Sequence, residues 1–220
     1  MLDQIIAQYA QFRPTAAPFI AQSAAPPPPP MVHGNKAHQR DEDGGHHIIP
    51  IQVEENSCGP ACVRQVIKLV SNEDHGEDFI RALVEQAEEG GAYGGSLGGG
   101  GVVSGSGNHN WGAGGGGTWL VPAALTAAKI ENSTNTNPST LLQSSKKRPA
   151  IGVVRWTNGG LHYVVVAGRS RKGNLIVLDP YYGVQHVPVS GANPGPYNPT
   201  DKAGRVQVNG VWYPWVCLTK

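Results

Sequence analysis

The chain has 220 residues, enough for one medium domain with a real core, and a formal net charge of +1. That balance excludes a strong field directed at nucleic acid or a membrane surface. Three cysteines, at positions 58, 62 and 217, are too sparse for a disulfide scaffold and form no CxxC pair, which fits a reducing compartment.

No apolar run reaches the roughly 18 to 20 residues of a membrane-spanning helix. The opening MLDQIIAQYAQFRPTAAPFIAQSA lacks a basic start followed by an apolar core, so no secretory signal peptide is read there. Export by a signal-independent machine stays open. Residues 1 to 45 read as an N-terminal segment and a linker: five consecutive prolines favour an extended helix, and the mixed charges and glycines after them cannot build a core. The folded domain is expected over 46–220.

The first helix is expected from Ser57 or Cys58 to about Val70. Val63, Val66, Ile67 and Val70 recur at helical spacing, and Pro60 falls in the first turn, where a missing N–H is tolerated. A second helix fits EDFIRALVEQAEE, with Phe79, Ile80, Leu83, Val84 and Ala87 on one face and Gly90 as its stop. Residues 90–117 follow, 15 of 28 of them glycine, and read as a long loop or a flap. They carry no phosphate-binding fingerprint, because no strand precedes them and no GK[ST] follows.

Thr118 can cap a third helix, TWLVPAALTAAKI, and a short one fits after Pro138. The pattern then changes to strands. AIGVVRW is one, LHYVVVAG and LIVLDP form a hairpin around RSRKGN, and VQHVPV and RVQV follow. An Asn209-Gly210 turn leads into VWYPWVCL. Helices first and strands second argue for an α+β domain with an antiparallel sheet.

Cys58 at a helix start sits where the dipole favours a thiolate. Cys62, one turn on, reads as a packed core residue, and Cys217 as structural. Of eight histidines, His162 stands at the mouth of a buried strand, and Asp179 closes the partner strand. If the hairpin loop spans Arg169 to Asn174, Gly168 pairs with Leu175 and Val164 with Asp179. His162 and Asp179 then share a face as diagonal neighbours. A one-residue slip would put them on opposite faces, and either residue taken alone reads equally well as merely structural. The Gln52 side-chain amide and the Cys58 N–H can serve as donors to an oxyanion. No HExxH and no Cys/His ligand spacing is present, so neither metal nor cofactor is expected.

QVEENSCGPAC, GGGTWLVPAAL, PAIGVVRWTNGGLHYVVVAG and LIVLDPYYG, in that order over roughly residues 48–190, resemble the papain-like fold of bacteriocin-processing peptidases. These are the double-glycine leader peptidases usually attached to export transporters. The resemblance implies a helical half carrying the cysteine, a sheet half carrying the histidine, and a cleft between. It implies Cys58 as nucleophile, His162 as general base and acid, Asp179 as its orienting group, and Gln52 in the oxyanion hole.

No transporter spans follow, and the proline-rich arm, the glycine-rich insertion and SGANPGPYNPTDKAG depart from the family pattern. A free-standing copy resembles the papain-like toxin domains that bacteria deliver into competitors or hosts. The expected function is therefore a cysteine endopeptidase acting on protein or peptide substrates at small or paired glycine residues. The alternatives are a glutamine deamidase or transamidase on the same fold, or a non-catalytic binding domain. The toxin reading adds a cognate inhibitor in the producing cell, and a location in the bacterial cytoplasm or on a signal-independent delivery route. Self-cleavage at Gly90-Gly91 is disfavoured by Glu85 and Glu88, where leader peptides of the family carry apolar residues.

Overall fold

The computed structural model describes residues 36–53, 57–89, 120–156, 161–190, 193–194 and 210–220. Residues 1–35 of the expected 1–45 arm, the glycine-rich segment 90–117, the Thr118 cap and the strand RVQV lie outside the described residues.

Helix α1 spans Cys58–Ser71. Its apolar stripe, Cys62, Val63, Val66 and Ile67, is at most 3% exposed. It ends where Asn72 takes a left-handed conformation, φ 62°, and returns its N–H to the Lys68 carbonyl. Helix α2, Glu77–Glu89, opens with two acids at its positive end and buries Ile80, Leu83 and Val84. Phe79 departs from expectation: it is 43% exposed and stacks on His75 at 4.0 Å. The buried stripe runs through 80, 83 and 84, and Phe79 stands at its solvent margin. Helix α3, Leu120–Ala127, buries Leu120, Val121, Ala123, Ala124 and Leu125, and packs on both other helices.

Among the described residues the main sheet has six strands in the order β3-β10-β4-β5-β6-β7, all antiparallel. They are β3 Asn132–Asn135, β4 Ala150–Trp156, β5 Leu161–Arg169, β6 Leu175–Asp179, β7 Gly183–Val187 and β10 Gly210–Thr219. A 3-10 turn, Pro138–Gln143, precedes β4. Strands β8, Val189–Ser190, and β9, Asn193–Pro194, form a small separate ladder. The sheet is covered on both faces. Tyr163, Val165 and Ile176 pack with the helices, while Val164, Val166 and Val177 pack with Leu141 and Trp212. This is the expected α+β architecture, a helical part against an antiparallel sheet.

One correction concerns the linker. Residues 36–45 are not linker: β1, Lys36–Arg40, pairs with β2, His46–Pro50, around an acidic turn. Gly44 supplies the positive φ that turn needs, +84°, and Asp41 Oδ1 accepts the Asp43 and Gly45 N–H groups. The hairpin is fastened to the sheet from outside. Glu42 accepts hydrogen bonds from Ser170 and Asn174 in the β5–β6 turn, and Gln39 accepts the Val184 N–H of β7. Local composition suggested a mobile arm, whereas partners more than 120 residues away hold it in place.

Candidate active site

Three elements meet at one end of the sheet. Strand β5 begins there and carries His162 as its second residue, β6 ends there with Asp179, and α1 brings in its amino end with Cys58. The His162–Asp179 contact depends on register, and the register is set by a bulge. Arg169 pairs with Leu175 and Gly168 with Ile176, one residue off the expected pairing. Ala167 is then skipped, and Val166 pairs with Val177 and Val165 with Leu178. The extra residue restores, for the site-bearing half of the hairpin, the alignment that puts His162 and Asp179 on one face. Gly168 makes this feasible: its φ is +132°, and a Cβ there would lie 3.3 Å from the Ser145 Cα.

His162 Nε2 and Asp179 Oδ1 are 2.9 Å apart, and both side chains are buried. Asp179 Oδ1 also accepts the N–H groups of Tyr181 at 2.7 Å and Tyr182 at 3.1 Å. These two backbone donors fix the carboxylate, which in turn fixes the imidazole, and they were not foreseen from the sequence. With Nε2 engaged by Asp179, the second ring nitrogen remains for Cys58, whose thiol is within hydrogen-bonding reach of His162. Burial opposes a charge on this imidazole. The charge and hydrogen bond of Asp179, with the Cys58 contact, outweigh it and raise the His162 pKa from 6.5 to about 10.

The other two cysteines differ in environment. Burial pushes the Cys62 thiol well up, with Cys58, Asp179 and Glu77 adding to the effect. Burial alone pushes Cys217 up to about 12. Both stay protonated at neutral pH, as their reading as core residues requires. All three thiols are free.

Gln52 follows β2. Its N–H donates to the Pro180 carbonyl at 2.9 Å, one residue past Asp179, so the segment carrying Gln52 is tied to the end of the sheet where His162 and Asp179 stand. Thus the structure brings Cys58, His162 and Asp179 into one contact chain and anchors Gln52 beside it. A second buried pair, His47 with Asp41 at 2.8 Å, belongs to the β1–β2 turn. Among the described residues no cluster of three or more His, Cys, Asp or Glu side chains has the arrangement of a metal site.

No family model matches the chain, and no curated protein matches it. Among solved structures it is similar to the peptidase domain of Streptococcus ComA, a bi-functional ABC transporter involved in a quorum-sensing pathway. That likeness has a TM-score of 0.46 and 16% identity over 77% of this chain and 95% of that one. It is also similar to the Pseudomonas avirulence protein AvrPphB, with a TM-score of 0.31 and 12% identity over 63% of this chain and 77% of that one. Likenesses this distant leave the functional argument to the site's own geometry.

Proposed function

We propose that the protein is a papain-like cysteine endopeptidase using Cys58, His162 and Asp179. The observation that carries this reading is the buried His162–Asp179 pair at 2.9 Å, whose imidazole also meets the Cys58 thiol at the amino end of a helix. A merely structural pair has no need of a cysteine on its third side.

The chemistry follows from that chain of contacts. The proton that Cys58 and His162 share rests on the imidazole, and the Cys58 sulfur attacks the scissile carbonyl carbon. The carbonyl π pair moves to oxygen, which the Cys58 N–H and the Gln52 side-chain amide stabilise. His162 returns its proton to the leaving amine as the C–N bond breaks. Water, deprotonated by His162, then attacks the thioester and releases the acid and the thiol. Asp179 holds the imidazole in the tautomer and charge state both transfers need.

Protein or peptide substrates cut at small or paired glycine residues, delivery as a toxin, and a cleft-plugging inhibitor in the producing cell complete the proposal. They are carried by the family resemblance of the sequence. No helix among the described residues is long and apolar enough to cross a membrane.

The test is expression of the wild type and Cys58→Ala in bacterial cells, with proteome-wide mapping of protein termini. New termini after small residues, present only with the wild type, are expected. Intact proteins with glutamine converted to glutamate would replace the peptidase by a deamidase. Matching proteomes would overturn catalysis and leave a binding domain.

A further inference from the structure

Ser57 occupies the N-cap of α1, yet its side chain makes no capping hydrogen bond to that helix. An N-cap serine ordinarily accepts an N–H two or three residues on. Three residues on is Pro60, which has none. The Ser57 hydroxyl turns instead to Glu77, the first residue of α2, and donates to its carboxylate. Glu77 Oε1 also accepts the Val53 N–H at 3.2 Å. Glu77 is 9% exposed and Ser57 is fully buried. An acid at a helix start usually faces water; this one is turned inward onto Val53 and Ser57, with the Arg81 and Arg64 charges also acting on it.

The two residues it holds flank the oxyanion donors. Val53 follows Gln52, and Ser57 precedes Cys58. The peptide plane on one side of Gln52 is pinned by its own N–H to the Pro180 carbonyl, and the plane on the other by the Val53 N–H to Glu77. The Cys58 N–H belongs to the peptide unit that begins at Ser57. We propose that Glu77 is the positioning residue of the oxyanion hole: one carboxylate holds both Val53 and Ser57, and through these two neighbours fixes the Gln52 amide relative to the Cys58 N–H. The inference rests on the peptidase reading and deepens it. Glu77 touches no reacting atom in this account and acts only through its two neighbours.

Its test separates chemistry that needs the hole from chemistry that does not. Iodoacetamide alkylates a thiolate by direct displacement of iodide, with no oxyanion. Acetyl-glycyl-glycinal adds to the same sulfur: an S–C bond forms, the carbonyl π pair moves to oxygen, and that oxygen needs the hole. Wild type, Glu77→Ala and Glu77→Gln are compared for Cys58 alkylation rate, aldehyde affinity and thermal unfolding. Misplacement of a donor by an ångström costs up to about 100-fold, so Glu77→Ala should weaken the aldehyde by about 10- to 100-fold. Its alkylation rate should stay within about twofold of wild type, since His162 is untouched. Glu77→Gln, whose amide oxygen still accepts the Val53 N–H, should recover part of the affinity. Unchanged aldehyde affinity in Glu77→Ala would overturn the proposal. So would parallel loss of affinity, alkylation and thermal stability, which would make Glu77 a general support of the fold. Wild-type Cys58 inert to both reagents would instead remove the peptidase reading itself, and this inference with it.

Discussion

Asp179→Asn isolates the charge at the centre of the site. The amide has the shape of the carboxylate and keeps an oxygen for the Tyr181 and Tyr182 N–H groups, so the turn after β6 survives. The negative charge facing His162 is lost. Burial then opposes the imidazole charge with only the Cys58 contact against it, and the His162 pKa falls from about 10. The gap between 6.5 and about 10 corresponds to about 5 kcal/mol between the two protonation states. Removal of one partner of a buried ion pair costs about 3–5 kcal/mol by a separate line of reasoning. The sign is set by a folded-state pKa raised above the unfolded one. The stabilisation from His162 is fully present below pH 6.5 and is lost as pH rises through about 10. Urea unfolding at pH 6 should show the wild type more stable than Asp179→Asn by about 3–5 kcal/mol. The difference should shrink steadily between pH 6.5 and pH 10. A difference independent of pH, or a His162 ring that titrates near 6.5 in the wild type by NMR, would refute the reasoning.

Gly168→Ala forces a side chain into a conformation at φ +132° and against the Ser145 backbone. A loss of about 1–3 kcal/mol is expected in chemical denaturation, with slower Cys58 chemistry because the bulge sets the His162 register. A neutral effect on both would show that the bulge is not needed. Tyr163→Phe removes a buried hydroxyl that has no hydrogen-bond partner among the described residues, so a gain of about 1 kcal/mol is expected, read as a rise in melting temperature of about 2–4 °C. A clear loss would mean the hydroxyl is satisfied by a buried water. Cys58→Ala, which removes one sulfur and leaves the Cys62–Ile67 stripe intact, should abolish turnover and shift stability by less than about 1 kcal/mol. Activity surviving in that variant would assign the nucleophile elsewhere.

Much of the site was legible because it is written in periodicity. His162 and Asp179 lie on two apolar runs joined by a short polar turn, and alternation alone puts them on one face once the register is right. The register came out right at the site end for a reason the sequence shows only faintly. The turn was misjudged by one residue, and the Ala167 bulge cancels the error, with Gly168 as the available hint. The β1–β2 hairpin was missed because KAHQR and HHIIP are short and polar, and DEDGG looks like linker. What holds them is Glu42 on Ser170 and Asn174, and Gln39 on Val184. Glu77 escaped notice for the same kind of reason. It looks like any acid opening a helix, and its partners Val53 and Ser57 lie on the far side of α1 in the sequence. Phe79 shows the opposite error: apolar character suggested burial, and stacking on His75 at the surface satisfies it instead.

The central claim is that His162 and Asp179 prepare Cys58, and Cys58 alone, as a nucleophile. The direct measurement is the pH-dependent alkylation of the native protein by iodoacetamide, with each cysteine followed by peptide mass spectrometry. At neutral pH Cys58 should react first, while Cys62 and Cys217, held as buried thiols, react only on unfolding, and His162→Gln should slow Cys58 strongly. Equal inertness of all three cysteines, or a Cys58 rate indifferent to His162→Gln, would contradict the account.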